Sequence, residues 1–426
     1  MGSAYDRILA YVQDLDIVDT HEHLPGTEAT RDRDRDVLQE YLSHYMSSDL
    51  RSAGLSSVGL DQARDHSRPL MDRWLLVEPY WERARYTGYG RALDISVRKL
   101  YGLDGIRRDT IEALDAAFRG TMVPGHYHRV LRELSQIAVS LLDVQAPWDP
   151  AFFRPVTRLE EYIILPQTRD EVSALEEKAG FPLQMLDAWM AACEASLLRS
   201  RAEGSVAIKI GLAYVRSLEF QRPLRRDAEA GLRQIQTVFE SPAWEQQRLD
   251  AGRAFQDWMM HHVLELARRE QIPVQIHTGL LEGNGNLIAN ADPTLLNPLF
   301  LEYPDVNFDL FHIGYPYQHV LSALAKMFPN VYIDMCWAHI ISPTASVRAL
   351  EEWIDSVPLN KICAFGGDYG FVDAVYGHQA MARENVARAL AIKVDEGIMD
   401  VDSACEIGRW LFVDNPSRLF KLGDSR

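Results

Sequence analysis

From about residue 183 onward, the chain alternates short apolar runs with longer stretches of helical period. Residues 205–210, 273–277, 306–312, 331–335 and 361–365 read as strands, rich in Val, Ile and Phe and flanked by turn-forming residues. Helical patterns lie among them at 183–201, closed by Gly204 as a C-cap, and at 251–270, 319–328 and 344–356. Strand–helix alternation at this spacing predicts parallel strands joined by helical crossovers. Upstream, residues 15–19, 137–144 and 161–165 supply three more strands. Eight is the number that closes a (β/α)₈ barrel, so the expected fold class is α/β, a TIM barrel spanning residues 1–426.

Residues 24–135 break the alternation. They hold an Arg/Asp run (Arg31 to Asp36), helix-like pieces and an aromatic-rich patch of Trp74, Tyr80, Trp81, Tyr86 and Tyr89. The expectation is a helical insertion after strand one, placed as a lid on the face where barrel active sites lie. A separate small domain docked on the barrel is the alternative. The aromatic patch is either the insertion's own core or a cover that lets an arginine, Arg85 or Arg91, meet a substrate carboxylate.

Composition narrows the partners. A formal charge of −17, from 44 basic and 61 acidic residues, disfavours nucleic acid and anionic membranes. No apolar run reaches the roughly 18 residues of a membrane span. The first residues lack a basic stretch leading into an apolar core, so no secretion signal is expected. Cys193, Cys336, Cys363 and Cys405 are isolated, which suits a reduced, cytoplasmic protein. A small-molecule partner is expected, and an oligomer of identical chains is compatible with these features.

The candidate chemistry sits at strand ends. His21 and His23 are spaced i, i+2, so on a strand both rings face one side. His277 ends the fifth strand, His312 the sixth, Asp368 follows the eighth, and Lys209 lies near the end of the fourth. Each alone has an ordinary explanation, such as a surface histidine or a turn aspartate. In a parallel barrel, however, all these ends converge on one mouth. Several N/O ligands with an open position match a catalytic Zn²⁺ site, with Mn²⁺ or Fe²⁺ as alternatives. Asp368 would then act as general base towards a metal-activated water. Asp19 and Asp334 are either acceptors that orient imidazoles or ordinary turn residues. Arg216, Tyr315 and Trp337 lie just past strand ends and are candidates to face substrate, as are Tyr86 and Arg91 from the insertion.

These positions resemble the amidohydrolase superfamily, with its HxH, strand-four Lys, two later His and final Asp. The segments Ile276-His277-Thr278-Gly279 and Phe311-His312-Ile313-Gly314-Tyr315-Pro316-Tyr317 resemble its amidohydrolase 2 branch. So do Asn330-Val331-Tyr332-Ile333-Asp334, Tyr86-Thr87-Gly88-Tyr89-Gly90-Arg91-Ala92-Leu93 and the tail Asp414-Asn415-Pro416-Ser417-Arg418-Leu419-Phe420. Within that branch the likeness is to the amidohydrolase part of nodulin/glutamine-synthetase fusion proteins, and more distantly to uronate isomerases and metal-dependent decarboxylases. The resemblance implies hydrolysis of an amide, of γ-glutamyl type, or of an ester; decarboxylation and uronate isomerisation are the rival reactions. It further implies one ion, with His312 as acid/base, or two ions bridged by a carbamylated Lys209, with His312 a ligand. A non-catalytic metal-binding protein fits less well, because a decayed enzyme would be expected to lose a ligand.

Overall fold

The computed structural model describes residues 2–143, 147–164, 168–237 and 252–423. Eight strands, β1 (Ile17–Glu22), β2 (Ile137–Leu142), β3 (Phe153–Arg158), β4 (Ala207–Ile210), β5 (Val274–Ile276), β6 (Phe308–Leu310), β7 (Val331–Asp334) and β8 (Ile362–Cys363), form one sheet in sequence order. Every neighbouring pair is parallel. The strands are short and buried on both faces, as expected where helices cover the outside. The ring closes between its first and last strands through the segment that follows β8. Thr20 N–H donates to the Phe365 carbonyl at 3.0 Å, Asp368 N–H to His21 at 2.8 Å, and His23 N–H to Tyr369 at 3.1 Å.

Strand three is a correction. It was expected at 161–165, but Glu160–Ile163 is a helical turn and the strand is Phe153–Arg158. The sequence Phe-Arg-Pro-Val-Thr-Arg hides its strand character behind two arginines and a proline. Phe153, Pro155 and Val156 are nevertheless buried, and the Pro155 carbonyl accepts Val206 N–H at 3.0 Å. Tyr162 and Ile163, which suggested the strand, are buried from a helical turn instead. Residue 165 and residue 144 of the expected second strand lie outside the described residues.

Between β1 and β2 the chain is helical: Val37–Tyr41, His44–Ser52, Ser57–Arg64, Leu70–Ala84, Gly88–Tyr101 and Ile111–Arg119, then a π-helical His128–Leu134. Its buried Trp74, Val77 and Trp81 are continuous with the barrel's apolar core. The Gly88–Tyr101 helix lies almost in backbone contact with the Val372–Asp395 helix. A Cβ at Gly377 would fall 1.9 Å from the Ala92 carbonyl, and one at Gly88 2.0 Å from that of Ile340. No helix among the described residues is long and apolar enough to cross a membrane.

One polar contact pins this helical segment to the barrel. Asp373, buried just after β8, accepts hydrogen bonds from Tyr41 Oη (2.8 Å) and Tyr101 Oη, and pairs with His126 Nε2 at 2.6 Å. Burial would raise the Asp373 carboxyl, but His126 and the two phenols hold it below its ordinary value. Removing the acceptor leaves three buried donors unmet, so Asp373→Ala should cost about 3–5 kcal/mol in urea unfolding. A depressed folded pKa stabilises at pH values above the unfolded one, near 3.9. That stabilisation is lost as pH falls through the folded pKa. The gap between wild type and Asp373→Ala should therefore hold at neutral pH and shrink only below about pH 4.

Candidate metal centre

Five side chains proposed from the sequence meet at the C-terminal ends of the strands. His23 Nε2 is 3.0 Å from Asp368 Oδ1, and His21 Nε2 is 3.7 Å from the same oxygen. His312 Nε2 is 3.9 Å from Asp368 Oδ2 and 3.0 Å from His277 Nδ1. Ligand atoms about 2 Å from a shared ion lie on the order of 3–4 Å from one another, so this spacing fits one. Three of the strand-end loops reach the site through non-glycine residues in left-handed conformations: His312 (φ 66°), Trp337 (φ 60°) and Asp368 (φ 58°). Such strain persists only where surrounding structure enforces it, and it gathers at functional sites.

Proton placement sharpens the picture. His312 Nδ1 faces the Cys336 carbonyl at 2.9 Å and His277 Nε2 faces that of Leu280 at 2.7 Å. A carbonyl only accepts, so each ring carries its proton on that side. The nitrogens that remain, His312 Nε2 and His277 Nδ1, point bare lone pairs at each other. Burial keeps both rings neutral, pushing His312 down to about 3 and His277 well below its ordinary range. His21 is fully buried and neither ring nitrogen has a hydrogen-bond partner. Burial also holds His21 well below its usual pKa, with the nearby Lys209 and His23 charges adding to the effect. Burial alone would raise Asp368, but the His23 hydrogen bond and the fields of His23, His21 and His312 keep it well below the usual carboxylate range. Burial would lower His23, but its hydrogen bond to Asp368 and the Asp368 and Asp143 charges raise it. The result is an ionised carboxylate bonded to His23 beside three neutral imidazoles, His21, His277 and His312, with unspent lone pairs, which is a donor set a divalent cation can use.

Lys209 is buried, and its Nζ sits 3.6 Å above the Phe311 ring. Trp337 lies edge-on to His312 at 5.1 Å. Tyr315 is half-buried. Arg216 is spent on Asp257 (2.7 Å), Gln256 and the Glu219 carbonyl. Tyr86 is 78% exposed beneath the Arg85 guanidinium, Arg91 is exposed, and Arg85 pairs with Glu82 and Asp94. Asp19 and Asp334 accept backbone N–H groups: His21 and Gly367 for Asp19, and Cys336 for Asp334. They brace the loops that carry the site, and no imidazole is among these partners.

Sequence reasoning passed over three neighbours. Asp143, just past β2, lies 3.5 Å from His21 Nε2 and 3.9 Å from His23 Nδ1. Arg158, ending β3, grips it with Nε at 2.8 Å and Nη2 at 2.6 Å. Burial would raise Asp143, but the His23 and Arg158 charges hold it below its ordinary value. Cys336 places its thiol with His312 and Asp368, the ligand atoms all within 4.8 Å. A carboxylate ending an apolar run was the available signal for Asp143, while the misplaced third strand concealed Arg158.

Comparison with known proteins agrees with the geometry. The sequence pattern described as Amidohydrolase matches residues 173–422, more than half of the chain. The chain belongs to the amidohydrolase family. It is 25% identical over 225 residues to protein fluG of Emericella nidulans, an alignment covering 51% of this chain and 26% of that protein. In fold, this amidohydrolase is similar to the uronate isomerase of Thermotoga maritima, with TM-score 0.80, 18% identity, and 99% and 98% of the two chains covered. The glucuronate isomerase of Caulobacter crescentus is similar to the same degree, with TM-score 0.80, 16% identity, and 100% and 95% covered.

The Arg158–Asp143 grip yields a stability test. Arg158→Met strands a buried carboxylate and should cost about 2–3 kcal/mol in urea unfolding of metal-free protein, below the fully buried figure because the guanidinium is partly solvated. Adding Asp143→Asn should recover most of that loss. Equal stabilities of wild type and Arg158→Met would show that the pair contributes nothing.

Proposed function

We propose that this chain is a metal-dependent hydrolase that cleaves an amide. In this reading, His21, His23, His277 and Asp368 hold a divalent ion, Zn²⁺ ahead of Mn²⁺ or Fe²⁺. The observation that carries the reading is the His277–His312 pair, whose bare nitrogens face each other at 3.0 Å. Two lone pairs repel at that distance, and a cation held by His277 Nδ1 removes the repulsion by engaging one of the two. The buried, unpartnered ring nitrogens of His21 support the same conclusion.

When bound, such an ion polarises a carbonyl and makes water more acidic. The chain's own residues supply the rest. Asp368 is held ionised and takes a proton at a carboxylate oxygen, later returning it to the leaving amine. His312, with a bare Nε2 3.9 Å from Asp368 Oδ2, is the second proton acceptor if a single ion is held. If burial leaves Lys209 as a free amine, CO₂ could add to its Nζ with loss of a proton, and the resulting carbamate would help hold a second ion; the Lys209 pKa is lowered from the ordinary value, chiefly by burial. The helical residues 24–135 act as the lid. Tyr45 and Tyr89 from this segment stack with Trp337, Tyr45 at 4.4 Å, and Tyr45 Oη donates to the Asp368 carbonyl at 2.5 Å. This wall excludes water from one side of the mouth. The resemblance to the amidohydrolase part of nodulin/glutamine-synthetase fusion proteins supports a γ-glutamyl-type amide over an ester.

Chelator-stripped protein should take up roughly one to two equivalents of Zn²⁺ or Mn²⁺. At about a hundred times its Kd, the ion should add ~2.7 kcal/mol to unfolding free energy. His21→Ala and His277→Ala should lose most of that gain. No uptake and no stabilisation in wild type would overturn the metal assignment.

Asp368→Asn should lower turnover of any amide the loaded enzyme hydrolyses by about a hundredfold or more. A variant retaining a tenth of the wild-type rate would remove Asp368 from the proton transfer. Product analysis separates the rival reactions: CO₂ release means decarboxylation, and sugar conversion without cleavage means isomerisation.

A further inference from the structure

The route to the centre is narrow. Of the side chains around Asp368, His21 and His312 are 0% exposed and Asp368 is 8% exposed, whereas His23 is 30% exposed. Of these four side chains, His23 is the most open to solvent. A cavity of about 350 Å³ opens there, with His23 in one wall and Arg31, Arg35, Glu40 and Tyr127 among its other residues. That volume is within the range of small-molecule sites.

Charge within this cavity is unevenly matched. Arg35 is neutralised by Glu40 at 3.0 Å and Asp32 at 3.3 Å. Arg31 is not. Among the described residues no carboxylate lies within ion-pairing distance of it, and its guanidinium donates only from Nη1, to the Thr121 carbonyl at 3.0 Å. A half-buried guanidinium that spends one of its five donors on a neutral carbonyl keeps its charge and its fork for something else. In a chain of net charge −17, such a group in a cavity that His23 also lines stands out as an anion receptor.

We propose that Arg31 binds a carboxylate carried by the substrate at the end remote from the bond that breaks. The substrate class is then an amide of a dicarboxylic acid: the acyl carbonyl lies towards His23 and Asp368, and the free carboxylate reaches Arg31. Arg85 and Arg91, the arginines first considered for this role, are respectively paired with Glu82 and Asp94 and exposed. Arg31 shares a cavity with His23, eight positions earlier in sequence on the chain that leaves β1. Which bond is cleaved rests on the hydrolase reading, but carboxylate recognition does not.

Glutarate and butyrate are suitable probes, because they differ by one terminal carboxylate. Titration calorimetry on the Zn²⁺-loaded protein should show glutarate binding about tenfold or more tighter than butyrate, the effect of one charge-assisted contact. Arg31→Ala should bring the two within about twofold by weakening glutarate alone, and Arg31→Lys should restore part of the difference. Glutarate preference unchanged in Arg31→Ala, or abolished by Arg35→Ala and not by Arg31→Ala, overturns the proposal. If the preference depends on Arg31 but no amide in a dicarboxylate panel is cleaved, the anchor stands and the hydrolase reading falls. If amides are cleaved with no preference for a free carboxylate, the reverse holds.

Discussion

The backbone seam between β1 and the segment after β8 is the constraint on which the rest depends. Thr20, His21 and His23 each share a backbone hydrogen bond with that segment, through Phe365, Asp368 and Tyr369. These bonds close the ring of strands. They also fix the carboxylate of Asp368 against the two imidazoles of β1, although 346 positions separate His23 from Tyr369 in sequence. The approach is so close that a Cβ on Gly367 would fall 1.7 Å from Glu22 Oε1. Barrel closure and assembly of the centre are thus one event, and a residue that disturbs the seam disturbs both.

Holding these groups together has an electrostatic cost. Asp19, Glu22, Asp143 and Asp368 are buried within a few residues of the seam, with Lys209 beside them. Burying unpaired charge is expensive, so each must be offset locally. Asp143 is offset by Arg158, and Asp368 by the histidines. Asp19 is offset in part by the amides of His21 and Gly367, yet burial still lifts it to about 6. What stays unbalanced is the lone-pair side of the site, His277 against His312 and His21 against nothing. Folding leaves that imbalance exposed at the barrel mouth, where a cation relieves it.

The parts of this arrangement legible in the sequence were those written as apolar runs ending in a polar residue. His21, His23, His277, His312 and Asp368 all obey that rule, because parallel strands must be apolar throughout and only their last residues can serve the mouth. β3 escaped because Arg154, Pro155 and Arg158 broke the run, and Arg158 vanished with it. Arg216 also follows a strand, yet its side chain turns to Asp257. Direction past the strand end depends on loop geometry, which no one-dimensional pattern carries. The aromatic patch divided for the same reason: Trp74 and Trp81 fill the insertion's core, while Tyr89 reaches Trp337 with Tyr45, a residue outside the patch.

The position of the helical insertion follows from where its ends are held. It leaves the barrel directly after His23 and returns through β2 to Asp143, so both ends are tied to side chains of the centre. Its middle is tied as well, by Tyr45 to the Asp368 carbonyl and by Tyr41 and Tyr101 to Asp373. A segment anchored at both ends and at two internal points cannot swing away as a hinged flap without breaking buried hydrogen bonds. Recognition groups on it, Arg31 among them, therefore stand at fixed distances from the imidazoles of β1. Such preorganisation would let a substrate's remote group position its reacting carbonyl, because no ordering of this segment remains to oppose binding. On this argument, discrimination between substrates resides in the first turns of the insertion, while the strand ends, committed to closing the barrel and to the ion, supply the chemistry common to all of them.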